Sequence, residues 1–290
     1  MNPLFVFAVT GAPHVRAVEM ALPYLQKFSA YEIAVVQARS ATTTAHNTVI
    51  EAAPPEGLDD HQASLWVKTR LGRILAENGL GGRPFCYLDS DVFALSPAID
   101  EIFDVPRHPI TFASDHASID MFSHWAVHCG CRSLSCPHLR EAMFCDFGVD
   151  VVAPDWVMWN GGVFTAAAEA MAVLDLWHSM TVHSFDLPYW RTRDQATLAA
   201  TAWQLGLQGA PRLPSRFNHL LDCHWGLQEE LRRGASIAEL AVWPELDLRR
   251  AVQTGEIAFV HFVNQGAGRR GWKHWDEVEA LLTPALTRAA

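Results

Sequence analysis

Phe85-Cys-Tyr-Leu-Asp-Ser-Asp-Val-Phe93 is an apolar run that ends in two aspartates one residue apart. Its first four residues are apolar without alternation, as in a central strand of a parallel sheet with both faces covered. Asp89 and Asp91 would then leave the carboxyl end of that strand, where open α/β sheets bind their ligands. Two carboxylates so placed can hold a divalent cation against a diphosphate. The pair alone says little, because seventeen aspartates in 290 residues produce about one such spacing by chance.

Working outward, the amino-terminal side alternates strand and helix. An apolar strand at 3–9 leads to a turn at Thr10-Gly11, and 14–28 places Val15, Val18, Leu22 and Leu25 at helical spacing. A β-branched strand follows at 31–38, then a polar, proline-containing loop over 41–60. Residues 61–78 read as one helix with Val67, Leu71, Ile74 and Leu75 on its apolar face and Lys68 at the margin of that stripe. This βαβαβ order predicts an α/β fold, a Rossmann-like doubly wound sheet. Toward the carboxyl terminus, 109–113 and 159–166 read as strands, the second entered through a glycine turn. Helices are expected at 169–181, 194–205 and 275–288, with a short apolar strand at 258–263. The segment 115–155 reads as irregular and carries four of the six cysteines.

Composition sets limits. Half of the residues are hydrophobic and 19% are charged, which excludes a disordered chain. A formal net charge of -10 argues against a nucleic-acid backbone or an anionic membrane as the main partner. The run at 4–9 is too short, and lacks the preceding basic residue, for a signal peptide. A cytoplasmic location is expected, with peripheral membrane association open to the amphipathic helix at 275–288.

Four motifs follow one another: Phe85-Cys-Tyr-Leu-Asp-Ser-Asp, Trp159-Asn-Gly-Gly-Val-Phe, Arg193-Asp-Gln, and Val260-His-Phe leading to Gly266-Ala-Gly-Arg-Arg-Gly-Trp. In that order they resemble GT-A-type nucleotide-diphospho-sugar glycosyltransferases of families 8 and 77. The resemblance implies a mixed GT-A sheet in one domain over 1–290. A nucleotide-binding half would lie at about 1–114, a Cys/His-rich insertion at about 115–155, and a donor- and acceptor-closing half at about 156–290. It also implies Asp89 and Asp91 as metal ligands with His261 as a third. Asn160, Gly161 and Gly162 would border the donor sugar, Asp194 and Gln195 would stand beside the reacting carbon, and Gly266, Arg269, Arg270 and Lys273 would close on the diphosphate. Thr10, Lys68 and Ser90 complete the expected donor-binding set. The partners implied are a nucleotide-diphospho-sugar and a saccharide or other hydroxyl acceptor.

The residue types suit that chemistry. A hard cation bridging the diphosphate oxygens stabilises the charge that develops as the glycosidic bond breaks. Two carboxylates and an imidazole suit Mn²⁺ at least as well as Mg²⁺. The resemblance implies retention of configuration, with leaving-group phosphate taking the acceptor proton. An inverting enzyme would instead need a carboxylate base, for which Asp155 or Asp222 could serve. One feature departs from the family pattern: Cys129, Cys131, Cys136, His138 and Cys145 form a cluster able to supply a structural Zn²⁺. The alternative is a set of reduced thiols in an insertion beside the acceptor. Two other classes compete. A nucleotidyltransferase would carry a glycine-rich basic loop after the first strand, where this chain has Thr10-Gly-Ala-Pro-His. A non-catalytic nucleotide-sugar-binding protein would share the scaffold without turnover.

Overall fold

The structure is a computed structural model that describes residues 2–39, 48–105, 108–131, 133, 135–221, 250 and 253–262. Strand β1 (Leu4–Thr10) pairs in parallel with β2 (Glu32–Ala38) and β4 (Phe85–Leu88), and β2 pairs in parallel with β3 (Thr48–Glu51). Two antiparallel strands, β7 (Val157–Ala166) and β6 (Ile110–Ser118), complete the six-stranded order β3-β2-β1-β4-β7-β6. A smaller sheet runs β5 (Val92–Ala94), β9 (Phe259–Phe262), β8 (His219–Leu221).

Alternating side chains of the central strands feed two cores, which is why these strands read as unbroken apolar runs. Phe5, Phe7, Ile33, Val35, Cys86 and Leu88 pack on one face with Val15, Val18 and Leu22 of α1 (Ala12–Phe28). Leu4, Val6, Ala34, Val36, Phe85 and Tyr87 pack on the other with Val67 of α2 (Asp60–Thr69) and Leu71 and Ile74 of α3 (Leu71–Glu77). Helices therefore lie on both faces, as a doubly wound sheet requires. A third core joins α4 (Ile119–Ala126), α5 (His138–Phe147) and α7 (Arg193–Gln204), while α6 (Met171–His183) packs Leu174 and Trp177 on the second.

Several elements differ from expectation. The expected helix at 61–78 is two helices, broken where Arg70 leaves helical geometry at φ -85°, ψ 1°. The second has Gly72 so close to α6 that an added Cβ would stand 2.8 Å from Leu174 Cδ1. Asp59 closes a capping box with Gln62 at the start of α2. The polar loop contains β3, whose pattern offers one buried residue, Ile50. The 115–155 segment holds more regular structure than its composition suggests, because β6 runs on to Ser118 and α4 and α5 follow. Gly161 and Gly162 lie inside β7 rather than in a turn before it. The partner of β6 jumps from Phe164 to Asn160 between Phe112 and Ala113, so residues 161–163 bulge from that ladder.

Candidate metal and donor site

Three strand ends bring the acidic pair and the histidine together. β4 ends at Leu88, and Asp89 is fixed by its backbone N–H donating to Gly162 O at 2.8 Å. Asp91 precedes β5, and its carbonyl accepts the N–H of Phe262 at 3.1 Å. Because Val92 pairs with His261, the buried imidazole arrives directly beside the aspartates. One ligand atom from each of Asp89, Asp91 and His261 lies within 4.8 Å of the others.

The protonation of His261 follows from a chain of hydrogen bonds that begins at a backbone amide. Gly162 N–H can only donate, so Asn160 presents Oδ1 to it at 2.9 Å. Asn218 must then offer Nδ2 to the same oxygen at 3.1 Å, which turns its own Oδ1 toward His261 Nδ1 at 3.0 Å. His261 therefore carries its proton on Nδ1 and aims Nε2 at Asp91 Oδ1, 3.3 Å away. A histidine held in this way is prepared to give a metal its Nε2 lone pair. Burial opposes protonation of this ring, yet Asp91 and then Asp89 outweigh it and raise the pKa above its ordinary value. The donor set of two carboxylates and one imidazole fits a divalent cation such as Mn²⁺ or Mg²⁺.

Gly162 is the residue that makes room. A Cβ there would stand 2.3 Å from His261 Cε1 and 2.9 Å from Asp89 Oδ2. At Gly161 the nearest atom would be Gln195 Oε1 at 3.5 Å, an ordinary contact.

Lys68 ties the acidic pair to α7. Its buried ammonium lies 3.1 Å from Asp89 Oδ1 and 2.9 Å from Asp194 Oδ2. Burial alone would depress its pKa, but Asp194 and Asp89 overcome that and raise it well above the ordinary lysine value. Tyr87 donates its hydroxyl to Asp89 Oδ1 at 2.6 Å, and its burial and the nearby carboxylate keep the phenol protonated. Asp194 stands in the first turn of α7, which begins one residue earlier than expected, with Thr192 at the cap. Its carbonyl accepts Trp177 Nε1–H at 2.9 Å.

Gln195 is buried with both ends of its amide engaged. Oε1 accepts Gly161 N–H at 3.0 Å, while Nε2 donates to Asp115 Oδ2 at 3.2 Å and to Trp159 O. Asp115 also accepts from Asn160 Nδ2 at 3.0 Å. Burial pushes the Asp115 carboxyl up, but hydrogen bonds from His116, Asn160 and the Ala117 backbone outweigh it and hold the pKa below its usual value. Thr10 ends β1 with a buried hydroxyl that has no hydrogen-bond partner among the described residues. Ser90 Oγ meets His14 Nδ1 at 3.0 Å. Gly266, Arg269, Arg270 and Lys273 lie outside the described residues, as do Asp222 and the helix expected at 275–288.

Sequence reasoning missed Asp115, Asn218, Tyr87 and His14. Asp115 follows the strand expected at 109–113, and the strand-end logic that found Asp89 would have found it too. Asn218 and His14 have no comparable local signal. Of the five residues in the Cys/His cluster, Cys129, Cys136 and His138 come together, whereas Cys131 and Cys145 are not in that group. Cys145 stands seven residues beyond His138 on the same helix, about 10 Å along its axis.

With the sheet order and the strand-end site in place, the architecture is that of GT-A glycosyltransferases. Among solved structures, the chain superposes on the galactosyltransferase LgtC, crystallised with donor and acceptor sugar analogues. That match has a TM-score of 0.57 and 15% identity, and covers 98% of this chain and 95% of the other. The bifunctional glycosyltransferase WbbM matches with TM-score 0.57 and 10% identity over 99% of this chain and 51% of its own. Mouse xyloside xylosyltransferase 1 matches with TM-score 0.50 and 13% identity over 90% of this chain and 96% of its own. No protein-family model and no curated protein matches the sequence. No helix among the described residues is long and apolar enough to cross a membrane.

Proposed function

We propose that this chain is a metal-dependent glycosyltransferase that moves a sugar from a nucleotide-diphospho-sugar to a saccharide or other hydroxyl acceptor with retention of configuration. The observation that carries the reading is the convergence of Asp89, Asp91 and His261 at the strand ends of a GT-A fold, with His261 Nε2 turned toward Asp91. Asp89 and Asp91 would hold Mn²⁺ or Mg²⁺ together with His261. When bound, such a cation stabilises charge on the departing diphosphate as a Lewis acid.

The chain's own residues supply the rest. Lys68 neutralises and positions Asp89 and Asp194 at once, so the metal-binding carboxylate and the donor-facing carboxylate keep a fixed spacing. Asp194 would bind hydroxyls of the donor sugar. Gln195, already bonded to Gly161 N–H, would hold the glycine segment against that sugar and orient it. Asn160 and Gly162 border the same space, and the unpartnered Thr10 hydroxyl and Ser90 lie at strand ends where the nucleotide would rest. Gly266, Arg269, Arg270 and Lys273 would close on the diphosphate. In retention by front-side attack, a leaving-group phosphate oxygen takes the acceptor's proton, so the protein needs no separate base.

The test is a panel of nucleotide-sugars assayed for donor hydrolysis and transfer, with Mn²⁺ and with chelator, on wild type and Asp91→Ala. Turnover of one donor that requires both the metal and Asp91 is expected. Turnover that ignores chelator and substitution would refute the metal role, and tight binding of a donor that is never consumed would favour the binding-protein reading.

A further inference from the structure

We infer that the chain carries a second metal site, a structural Zn²⁺ held by Cys129, Cys136 and His138. Their ligand atoms lie within 4.8 Å of one another. Cys129 Sγ is 3.6 Å from Cys136 Sγ, and Cys136 Sγ is 3.1 Å from His138 Nδ1. A disulfide would bring the sulfurs to about 2.05 Å. A tetrahedral zinc with Zn–S about 2.3 Å and Zn–N about 2.0–2.1 Å has ligand-to-ligand edges of about 3.6–3.8 Å. The sulfur pair already stands at that edge length, and the sulfur–nitrogen edge is short of it by about 0.5 Å. Two thiolates and an imidazole favour zinc over the harder cations suited to Asp89, Asp91 and His261.

The surroundings give the site a purpose. Cys136 is fully buried, Cys129 is half-buried and His138 is exposed, so the group runs from the interior to the surface and is open to solvent at His138. Cys129 follows the exit of α4, where His128 N–H donates to Tyr189 O at 2.7 Å and Arg191 N–H donates to Ala126 O at 2.7 Å. Thr192, the cap of α7, donates its hydroxyl to Trp125 O at 3.0 Å. Cys136 and His138 stand at the entry of α5, where Leu139 N–H donates to Ser123 Oγ at 2.9 Å. A metal here staples the exit of α4 to the entry of α5, at the end laced to the segment that leads into Asp194. Binding releases the two thiol protons of Cys129 and Cys136 to solvent, and the bond to His138 uses the Nδ1 lone pair.

The inference does not rest on the proposed transferase activity, and its test does not read activity. Zinc is quantified by elemental analysis in the purified full chain and in C136S, C129S, C145S and D91A. One equivalent is expected in wild type, C145S and D91A, and its loss in C136S and C129S. On folded wild type, a mercurial should release that equivalent in step with thiol titration. Cobalt substitution should give thiolate-to-metal charge-transfer absorption. A zinc-free wild type, a Cys129–Cys136 disulfide found by mass spectrometry, zinc retained in C136S, or zinc lost in D91A would each overturn the assignment.

Discussion

Replacing Gly162 by alanine should disable the acidic site while leaving the fold in place, and the neighbouring Gly161→Ala should not. The new Cβ at 162 would stand 2.3 Å from His261 Cε1, and carbon atoms need about 3.5 Å at least, so one of them must move by more than about 1 Å. His261 is buried and tethered through Asn218, and Asp89 is tied to the Gly162 carbonyl, so the displacement falls on the proposed ligands themselves. Overpacking of this kind costs about 1–3 kcal/mol of stability, a fall of several degrees in Tm for a chain of this size. A misplacement of about 1 Å costs on the order of 100-fold in turnover. At Gly161 the nearest contact would be 3.5 Å, and the N–H bond to Gln195 survives the substitution. The assay is Mn²⁺ affinity by calorimetry beside circular dichroism for the fold. G162A should bind Mn²⁺ at least about 10-fold more weakly, with G161A near wild type. Wild-type Mn²⁺ affinity in a folded G162A would refute the argument that this glycine clears the site.

Three other perturbations probe separate parts of the account. Lys68→Met leaves two carboxylates without their shared cation. Because the side chains of Asp89 and Asp194 are 28% and 13% exposed, the loss should be about 2–3 kcal/mol rather than the full cost of a buried unpaired charge. Added Mn²⁺ should recover part of it, and an unchanged Tm would contradict the pairing. Asn218→Ala removes the acceptor that fixes the His261 tautomer, so Mn²⁺ affinity should fall about 10- to 100-fold; wild-type affinity would show that the tautomer needs no such support. His178 has its pKa lowered to about 4 by burial first and Arg70 second. The unfolded chain takes up that proton near pH 6.5, so its contribution is complete above that value and is lost as pH falls toward 4. Partial exposure of the ring reduces this to about 1–2 kcal/mol. Urea midpoints at about pH 7 and about pH 4.5 should therefore differ less in His178→Gln than in wild type. Equal differences would exclude His178 as a source.

The amino-terminal half was legible because its strands are buried on both faces. Phe85–Leu88 reads as a strand from four consecutive apolar residues, and β1 and β2 read the same way. Short elements escaped for want of period: β5 spans three residues continuous with the acidic motif, and β8 also spans three. Helix α5 buries only Leu139, Ala142 and Met143, so its stripe is faint, and the cysteines and histidines around it drew attention to ligands rather than to helix. In the site, Asp89, Asp91, His261 and Asp194 carried signals in their own neighbourhoods, at strand ends or a helix start. Asp115 and Asn218 act across 45 and 43 residues of sequence, on Asn160 and His261, and no local pattern records such a bond. Lys68 was visible at the edge of its helix stripe, but its double ion pair depends on how α2, β4 and α7 meet.

The central claim is that Asp89, Asp91 and His261 hold a cation against a diphosphate. Its most direct test is the affinity of the common nucleoside diphosphates by calorimetry, with and without Mn²⁺, for wild type and His261→Ala. The account predicts that one nucleotide binds at least about 10-fold more tightly with Mn²⁺ and that the substitution removes most of that gain. Nucleotide binding that is the same with and without Mn²⁺, in both proteins, would contradict it.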